Sequence, residues 1–309
     1  MSINKTTEEE LLRRIEKINK YYDTDALLKE KTDKKAIAKY YKQSDFFYNL
    51  VHSRGGGNIH MGLSKDGTFR KEDFLKQAEF INELIDSKVE KILEVGAGKV
   101  ANSKYLAPKH PSVSFTALDL PHRNFKKNKV PKNITLVEGD YNDLSCFEEN
   151  SFDIVFGIET ICHSETKEKT IRELSRVLKP GGKLIIFDIY EPKPRADMTT
   201  FEKQVSSITL AAMRVTDKGQ CIGEMKKNLE HCGFSQIKIT DLTKEIRPSL
   251  LRLERVSRYY YSHPVLLRSL KLIIPKNATM NSIAGWLMPL TFDGENLHQY
   301  NRIVATKKR

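Results

Sequence analysis

Leu11, Ile15 and Ile18 fall on one side of a helical wheel, so a short amphipathic helix opens the chain. Thr7-Glu8-Glu9-Glu10 just before them fits a capping box, in which the threonine hydroxyl and the last glutamate satisfy free backbone N–H groups. A second helix is expected from Asp25 to Tyr41, then a Gly-rich loop at Ser53-Arg54-Gly55-Gly56-Gly57-Asn58. Leu75, Ala78, Ile81 and Ile85 mark a further helix face. After Ser87 the period changes. Apolar strands are predicted at Val89–Val95, Val113–Leu118, Ile134–Val137, Phe152–Phe156, Lys183–Ile189, Gln236–Thr240 and Gln299–Thr306. Helices separate them at Ala101–Leu106, Ser164–Leu178 and Gly219–His231, with Ser164 as a cap and Pro180-Gly181-Gly182 as a stop. The expected fold class is α/β: a seven-stranded, mainly parallel sheet with helices on both faces. Residues 1–69 read as an N-terminal helical lid and 70–309 as the α/β domain, with 243–294 a helical insertion before the last strand.

Composition narrows the classes. The longest apolar runs, Leu184 to Phe187 and Leu272 to Pro275, are far shorter than a bilayer span, which needs roughly 20 residues. The start of the chain is charged from Lys5 and Glu8 onward and has no apolar signal region, so a soluble, cytoplasmic protein is expected. Cys146, Cys162, Cys221 and Cys232 form no C-x-x-C pair and read as reduced thiols. No His/Cys/Asp spacing suggests a metal site. The formal charge of +12 is uneven: 247–309 carries eleven Lys/Arg against three acids, while 1–35 is nearly balanced. The excess therefore belongs to a C-terminal element, and no nucleic-acid partner is expected.

Candidate chemistry begins at Glu94-Val95-Gly96-Ala97-Gly98-Lys99-Val100-Ala101, a strand running into a Gly-rich turn and a helix. Gly96 and Gly98 let the backbone turn sharply against a ligand. That pattern alone also fits a dinucleotide site. Three positions favour S-adenosylmethionine (SAM). Glu94 stands where dinucleotide sites carry an apolar residue, and its carboxylate suits the cationic methionine end. Asp119 closes the second strand, placed to accept from the ribose hydroxyls. Asp140, in Gly139-Asp140-Tyr141, suits the adenine amino group.

The order Glu-x-Gly-x-Gly, Leu-Asp-Leu, Gly-Asp, Phe-Asp-Ile-Val-Phe and Leu-Lys-Pro-Gly-Gly-Lys-Leu resembles class I SAM-dependent methyltransferases, with their Rossmann-like fold. The likeness runs from Leu75 to Leu242, and 299–307 matches the terminal strand. It implies a SAM pocket lined by Glu94, Gly96, Gly98, Asp119, Leu120, Asp140 and Tyr141, with Val100 where the family has a third glycine. Glu159-Thr160-Ile161-Cys162-His163 is similar to the Glu-x-x-x-His segment of sterol C-methyltransferases. Ser44-Asp45-Phe46-Phe47 and Asn58-Ile59-His60-Met61-Gly62 resemble the N-terminal lids of sterol, tocopherol and cyclopropane-lipid methyltransferases.

The catalytic candidates are therefore Glu159 and His163, as general bases or, for Glu159, as the stabiliser of a carbocation. The competing reading is a helix cap and a local hydrogen bond. Tyr41, with Tyr40, is a candidate to close over the methyl donor. Tyr40, His60, Tyr190 and Arg247 are candidate acceptor contacts. The small-molecule acceptor is read as hydrophobic (isoprenoid, sterol or lipid-like) and methylated at carbon, with O- or N-methylation of a natural product as the alternative. An RNA methyltransferase or a non-catalytic SAM-binding protein are weaker rivals. In the insertion, Leu250, Leu253, Val256 and Tyr260 are expected inward, and Arg252, Arg255 and Arg258 outward. The basic C-terminal region is a candidate for diphosphate binding, for peripheral contact with an anionic membrane, or for solvent alone. A homo-oligomer is left open.

Overall fold

The computed structural model describes residues 4–48, 52, 57–121, 129–216, 221–293 and 297–309, the side chains of 46 and 47 excepted. Seven strands form one sheet: β1 (Lys91–Val95), β2 (Ser114–Asp119), β3 (Ile134–Glu138), β4 (Phe152–Ile158), β5 (Leu178–Tyr190), β6 (Phe234–Asp241) and β7 (Gln299–Lys307). Their order is β3-β2-β1-β4-β5-β7-β6. Only β7 runs antiparallel, to both β5 and β6. Ile92, Leu93, Glu94 and Val95 of β1 are all buried, as a strand covered on both faces requires. Strand order reverses between β1 and β4, and ligands of such sheets bind beyond the carboxyl ends at that point.

The helices are α1 (Lys5–Asn19), α2 (Thr24–Lys29), α3 (Lys34–Phe47), α4 (Lys76–Asn82), α5 (Ala101–Leu106), α6 (Lys167–Val177), α7 (Thr200–Ala212), α8 (Ile222–His231), α9 (Thr243–Ser262), α10 (Pro264–Ile273) and α11 (Lys276–Thr291). Leu11, Ile15 and Ile18 of α1 are buried, as their spacing predicts. They belong to the same core as Leu250 of α9 and Trp286 of α11. Polar links join the two groups of helices. Arg14 Nη2 meets Glu254 at 2.7 Å, and the Tyr22 and Tyr260 hydroxyls lie 3.0 Å apart. The chain's first three helices and the 243–294 helices thus form one cover.

Several sequence expectations need correction. The first helix starts earlier than the Thr7 box, because the Asn4 side chain accepts from the Thr7 N–H (2.9 Å), and Glu10 pairs instead with Arg13 and Arg14. The expected second helix is two helices, since Asp23 and Asp33 each cap a fresh start through Ala26 N and Ala36 N. Ser164 does not cap α6; its hydroxyl binds Asn142 and Thr170. Pro180-Gly181-Gly182 does not end α6 either. The helix stops at Val177, Leu178 is already extended, and the three residues lie inside β5 with Gly181 at φ 81°. Arg252 points inward, not to solvent: its guanidinium donates to the His52 carbonyl (2.7 Å) and lies over the Phe69 ring. Residues 53–56 of the Gly-rich loop and 217–220, where the Gly219 helix was expected to start, lie outside the described residues.

Candidate active site

The turn after β1 is built by close approach. Gly96 and Gly98 have φ of 63° and 57°, the left-handed region that glycine tolerates. A Cβ on Gly96 would lie 1.9 Å from Thr160 Oγ1, so the side chain after β4 packs directly on the β1 turn. Asp119, at the end of β2, accepts from Gly98 N (2.6 Å) and Leu120 N (2.7 Å) and holds the turn in place. Val100 also adopts a left-handed φ of 62°, although it is β-branched and fully buried. The missing third glycine is thus replaced by a strained residue with a packed side chain.

Gly96, Gly98, Asp119 and Thr160, but not Val100, line a cavity of about 500 Å³ beyond the carboxyl ends of β1, β2 and β4. Gly96, Gly98, Asp119, Leu120, Asp140 and Tyr141 all face it. Asp140 Oδ1 accepts from the Asn142 backbone N–H and side-chain amide, and its other oxygen is ion-paired with Lys34 of α3. Tyr141 donates to the Thr160 carbonyl at 2.9 Å. Glu94 does not face the cavity. It is buried behind the turn, accepting from Asn102 Nδ2 and from Ser103 N and Oγ, and burial raises its carboxyl to about 7. Its contact with the cavity is indirect, through Asn102, which lines the wall and has a buried Oδ1 without a hydrogen-bond partner among the described residues. A SAM-sized ligand fits this volume, and the acceptor oxygens of Asn102, Asp119 and Asp140 suit its ammonium, hydroxyl and amino donors.

A second cavity, of about 370 Å³, lies under α3, α9, α10 and α11. Its wall is mainly apolar, with Met61, Ile189, Met213, Val215, Leu253 and Leu270 among its residues. Four residues line both cavities: Tyr41, Ile59, Glu159 and His163. They form the partition.

Glu159 follows β4 with a left-handed φ of 48°, a conformation that costs a non-glycine residue on the order of 1–2 kcal/mol. Its own N–H donates to the Phe187 carbonyl, and Oε1 accepts from Met61 N at 2.6 Å. Burial lifts its carboxyl to about 8 against the opposing pull of that N–H, and the nearby Asp188 adds to the rise. His163 Nδ1 contacts the Arg214 carbonyl (2.8 Å) and Nε2 contacts the Tyr41 hydroxyl (2.7 Å). A carbonyl accepts only, so Nδ1 carries the proton and Nε2 accepts from Tyr41. Burial holds the imidazole down at about 4, so it is neutral.

The other candidates scatter. Tyr40 lines the apolar cavity and bonds the Tyr48 hydroxyl (2.5 Å) and Asn281. His60 faces the first cavity rather than the second and is fixed by Asn58 Nδ2 and the Met61 carbonyl. Tyr190 faces neither: it is buried on the other side of the sheet with Leu174 and Met225. Arg247 is exposed and paired with Asp293 at 2.8 Å, away from both cavities. Sequence reasoning missed Tyr48 and His52 in the second cavity, and Asn102, Asn142 and Thr160 in the first. Tyr41, Tyr48 and His52 recur at helical spacing, a stripe that continues past the expected helix end. Among the described residues no group of three His, Cys, Asp or Glu is placed to hold a metal ion, and no helix is long and apolar enough to cross a membrane.

Residues 93–186 match the methyltransferase domain family. The chain is 27% identical over 217 residues to a glycine/sarcosine/dimethylglycine N-methyltransferase of Actinopolyspora halophila, covering 66% of this chain and 36% of that protein. It thus spans about a third of that relative's length. It is 28% identical to the S-adenosyl-L-methionine-dependent Diels-Alderase iccD of Talaromyces variabilis, covering 71% and 80% of the two chains. A sterol 24-C-methyltransferase of Clavispora lusitaniae shares 28% identity over 54% of this chain and 46% of its own. The structure of the cyclopropane synthase MmaA2 from Mycobacterium tuberculosis superposes with a TM-score of 0.66 at 14% identity, over 88% and 97% of the chains. Residues 93–186 thus form a methyltransferase domain, and the sheet order and Gly-rich turn are consistent with the class I SAM-dependent methyltransferase fold.

Proposed function

We propose that the chain transfers the SAM methyl group to a small hydrophobic acceptor, at carbon. One observation carries this reading: the polar cofactor cavity and the apolar cavity share a wall, and that wall contains Glu159 and His163. SAM supplies an activated methyl on a sulfonium cation. The chain's own residues then have limited work: bind, orient, exclude water and take one proton. Asn102, Asp119 and Asp140 hold the cofactor. Leu253, Met213, Val215 and their neighbours desolvate the acceptor. An acceptor alkene that gains a methyl becomes a carbocation, and loss of a proton from an adjacent carbon restores a double bond. The Glu159 carboxyl, in its ionised form, stabilises that cation and receives the proton. His163, neutral and bonded on both nitrogens, positions Tyr41 over the partition.

The second reading is O- or N-methylation, supported by the N-methyltransferase relative and by the Tyr41–His163 pair, which can pass on a hydroxyl or ammonium proton. Incubation with methyl-labelled SAM and paired alkene, hydroxyl and amine acceptors of similar bulk separates the two, with product position read by mass spectrometry and NMR. Label on carbon is the expected result. Label only on oxygen or nitrogen would replace the first reading by the second.

A further inference from the structure

The helix α10 is apolar on both sides. Leu267 is fully buried and Leu270 faces the acceptor cavity, as an amphipathic helix requires. The opposite side should then be polar. It is not: Val265 and Ile273 are each 78% exposed and Leu272 is 89% exposed, with Leu266 beside them. Val265 and Leu272, like Leu266 and Ile273, are seven residues apart and lie on one stripe. Val256 and Tyr259 of α9, the helix just before α10, are exposed as well. An apolar stripe of this kind on a surface helix marks an interaction site.

The charges around it are mainly positive. From Arg255 to Lys276 the chain carries five Lys/Arg (Arg255, Arg258, Arg268, Lys271 and Lys276) and no Asp or Glu. The acids that approach from neighbouring positions are Glu254, which meets Arg258 at 3.3 Å, and Glu30, which meets Lys276 at 2.5 Å. Lys271 donates to the Tyr21 carbonyl. Arg255 donates to the Leu251 carbonyl of its own helix, and both Arg255 and Arg268 are exposed.

We infer that the outer face of α10, with the end of α9, docks on an anionic lipid bilayer. Exposed Leu, Ile and Val enter the boundary between headgroups and acyl chains, while the surrounding cations meet lipid phosphates. A second copy of the chain is a poorer occupant, because a twofold contact through this face would set the same cations against each other. The placement also gives the acceptor a route. Leu270 of α10 and Ile274 just after it line the apolar cavity, and Val256 of α9 stands at its rim, so one segment contacts the bilayer outside and the acceptor inside.

The test is co-sedimentation of the full chain with phosphatidylcholine vesicles, with and without phosphatidylglycerol. Wild type is expected to pellet with the anionic vesicles only, and less so as salt is raised. The double variant Leu272→Ser/Ile273→Ser should stay in solution, and Arg255→Gln/Arg268→Gln should bind on the order of tenfold more weakly. Both pairs are surface residues outside the partition, so circular dichroism and SAM binding should be unchanged, which separates this result from any failure of the acceptor assignment. Absence of wild type from the vesicle pellet, or equal binding by both variants, would overturn the inference. So would a wild-type dimer in sedimentation velocity that Leu272→Ser/Ile273→Ser dissociates.

Discussion

The Tyr41 hydroxyl donates to His163 Nε2 across 2.7 Å, with the two rings edge-on at 5.5 Å, and this bond ties α3 to the turn after β4. Because Nδ1 donates to the Arg214 carbonyl, the imidazole is fixed in one neutral tautomer. Its 15N spectrum should show the Nδ1–H form throughout mildly acidic to neutral pH, protonating only near 4. Tyr41→Phe should shift the Nε2 resonance and lower turnover, while SAM affinity changes by only a few-fold. An imidazolium signal at neutral pH would contradict the assignment.

Glu159→Gln separates chemistry from stability. Turnover should fall by about 10²–10⁴, the usual contribution of a positioned acid or base, with little change in SAM affinity. Stability should move the other way. A carboxyl raised from 4.5 to about 8 by burial binds its proton more tightly when folded. Its contribution is fully present below the unfolded value and is lost as pH rises through the folded one. The glutamine variant should therefore gain thermal stability over wild type progressively as pH rises from 5 to about 9. A pH-independent difference would show that Glu159 is not shielded as the structure has it.

Cofactor binding should release protons. Near neutral pH the Glu159 carboxyl is largely protonated, and a sulfonium cation beside it favours the carboxylate. Calorimetry in buffers of different ionisation enthalpy should give a positive number of protons released for SAM. S-adenosylhomocysteine, which lacks the charge on sulfur, should release fewer. In Glu159→Gln the difference between the two ligands should shrink.

Asp119→Ala removes the acceptor of the Gly98 N–H in the turn and of its neighbour Leu120, and one face of the cavity. Charge-assisted bonds of this type contribute about 1.5–3 kcal/mol, so the SAM dissociation constant should rise by about 10–150-fold. Unchanged affinity by calorimetry would move the ribose contact elsewhere.

Gly96→Ala should abolish SAM binding and destabilise the fold, since its Cβ would overlap Thr160 Oγ1 at 1.9 Å. Thr160→Ala should not rescue it, because the Thr160 Cβ would itself lie 2.5 Å away. Melting temperatures of the two single variants and the double variant decide this.

Strand positions and the Gly-rich turn were legible because apolar runs between turn residues admit few alternatives, and Asp119 and Asp140 stand at strand ends where ligands bind. The strand end alone does not reveal which side a residue faces. Ile189 lines the acceptor cavity, and the adjacent Tyr190 points to the opposite core. Glu94 misled for a related reason: its position next to the turn is correct, but its oxygens are taken by Asn102 and Ser103. Helical spacing puts Arg252 outward, yet the His52 carbonyl and the Phe69 ring, distant in sequence, offer it a buried seat. Tertiary partners of that kind leave no local signal.

The shared wall between the cavities divides the chain into parts that can vary separately. Glu159 and His163 are fixed by the turn after β4, whereas Leu253, Leu270 and Ala278 come from α9, α10 and α11 and Met213 follows α7, elements with no described residue lining the first cavity. On the proposed reading, substitutions among those four would reshape the apolar cavity and leave the lining of the first cavity unchanged. A focused library at the same four positions is the direct route to redirecting the enzyme.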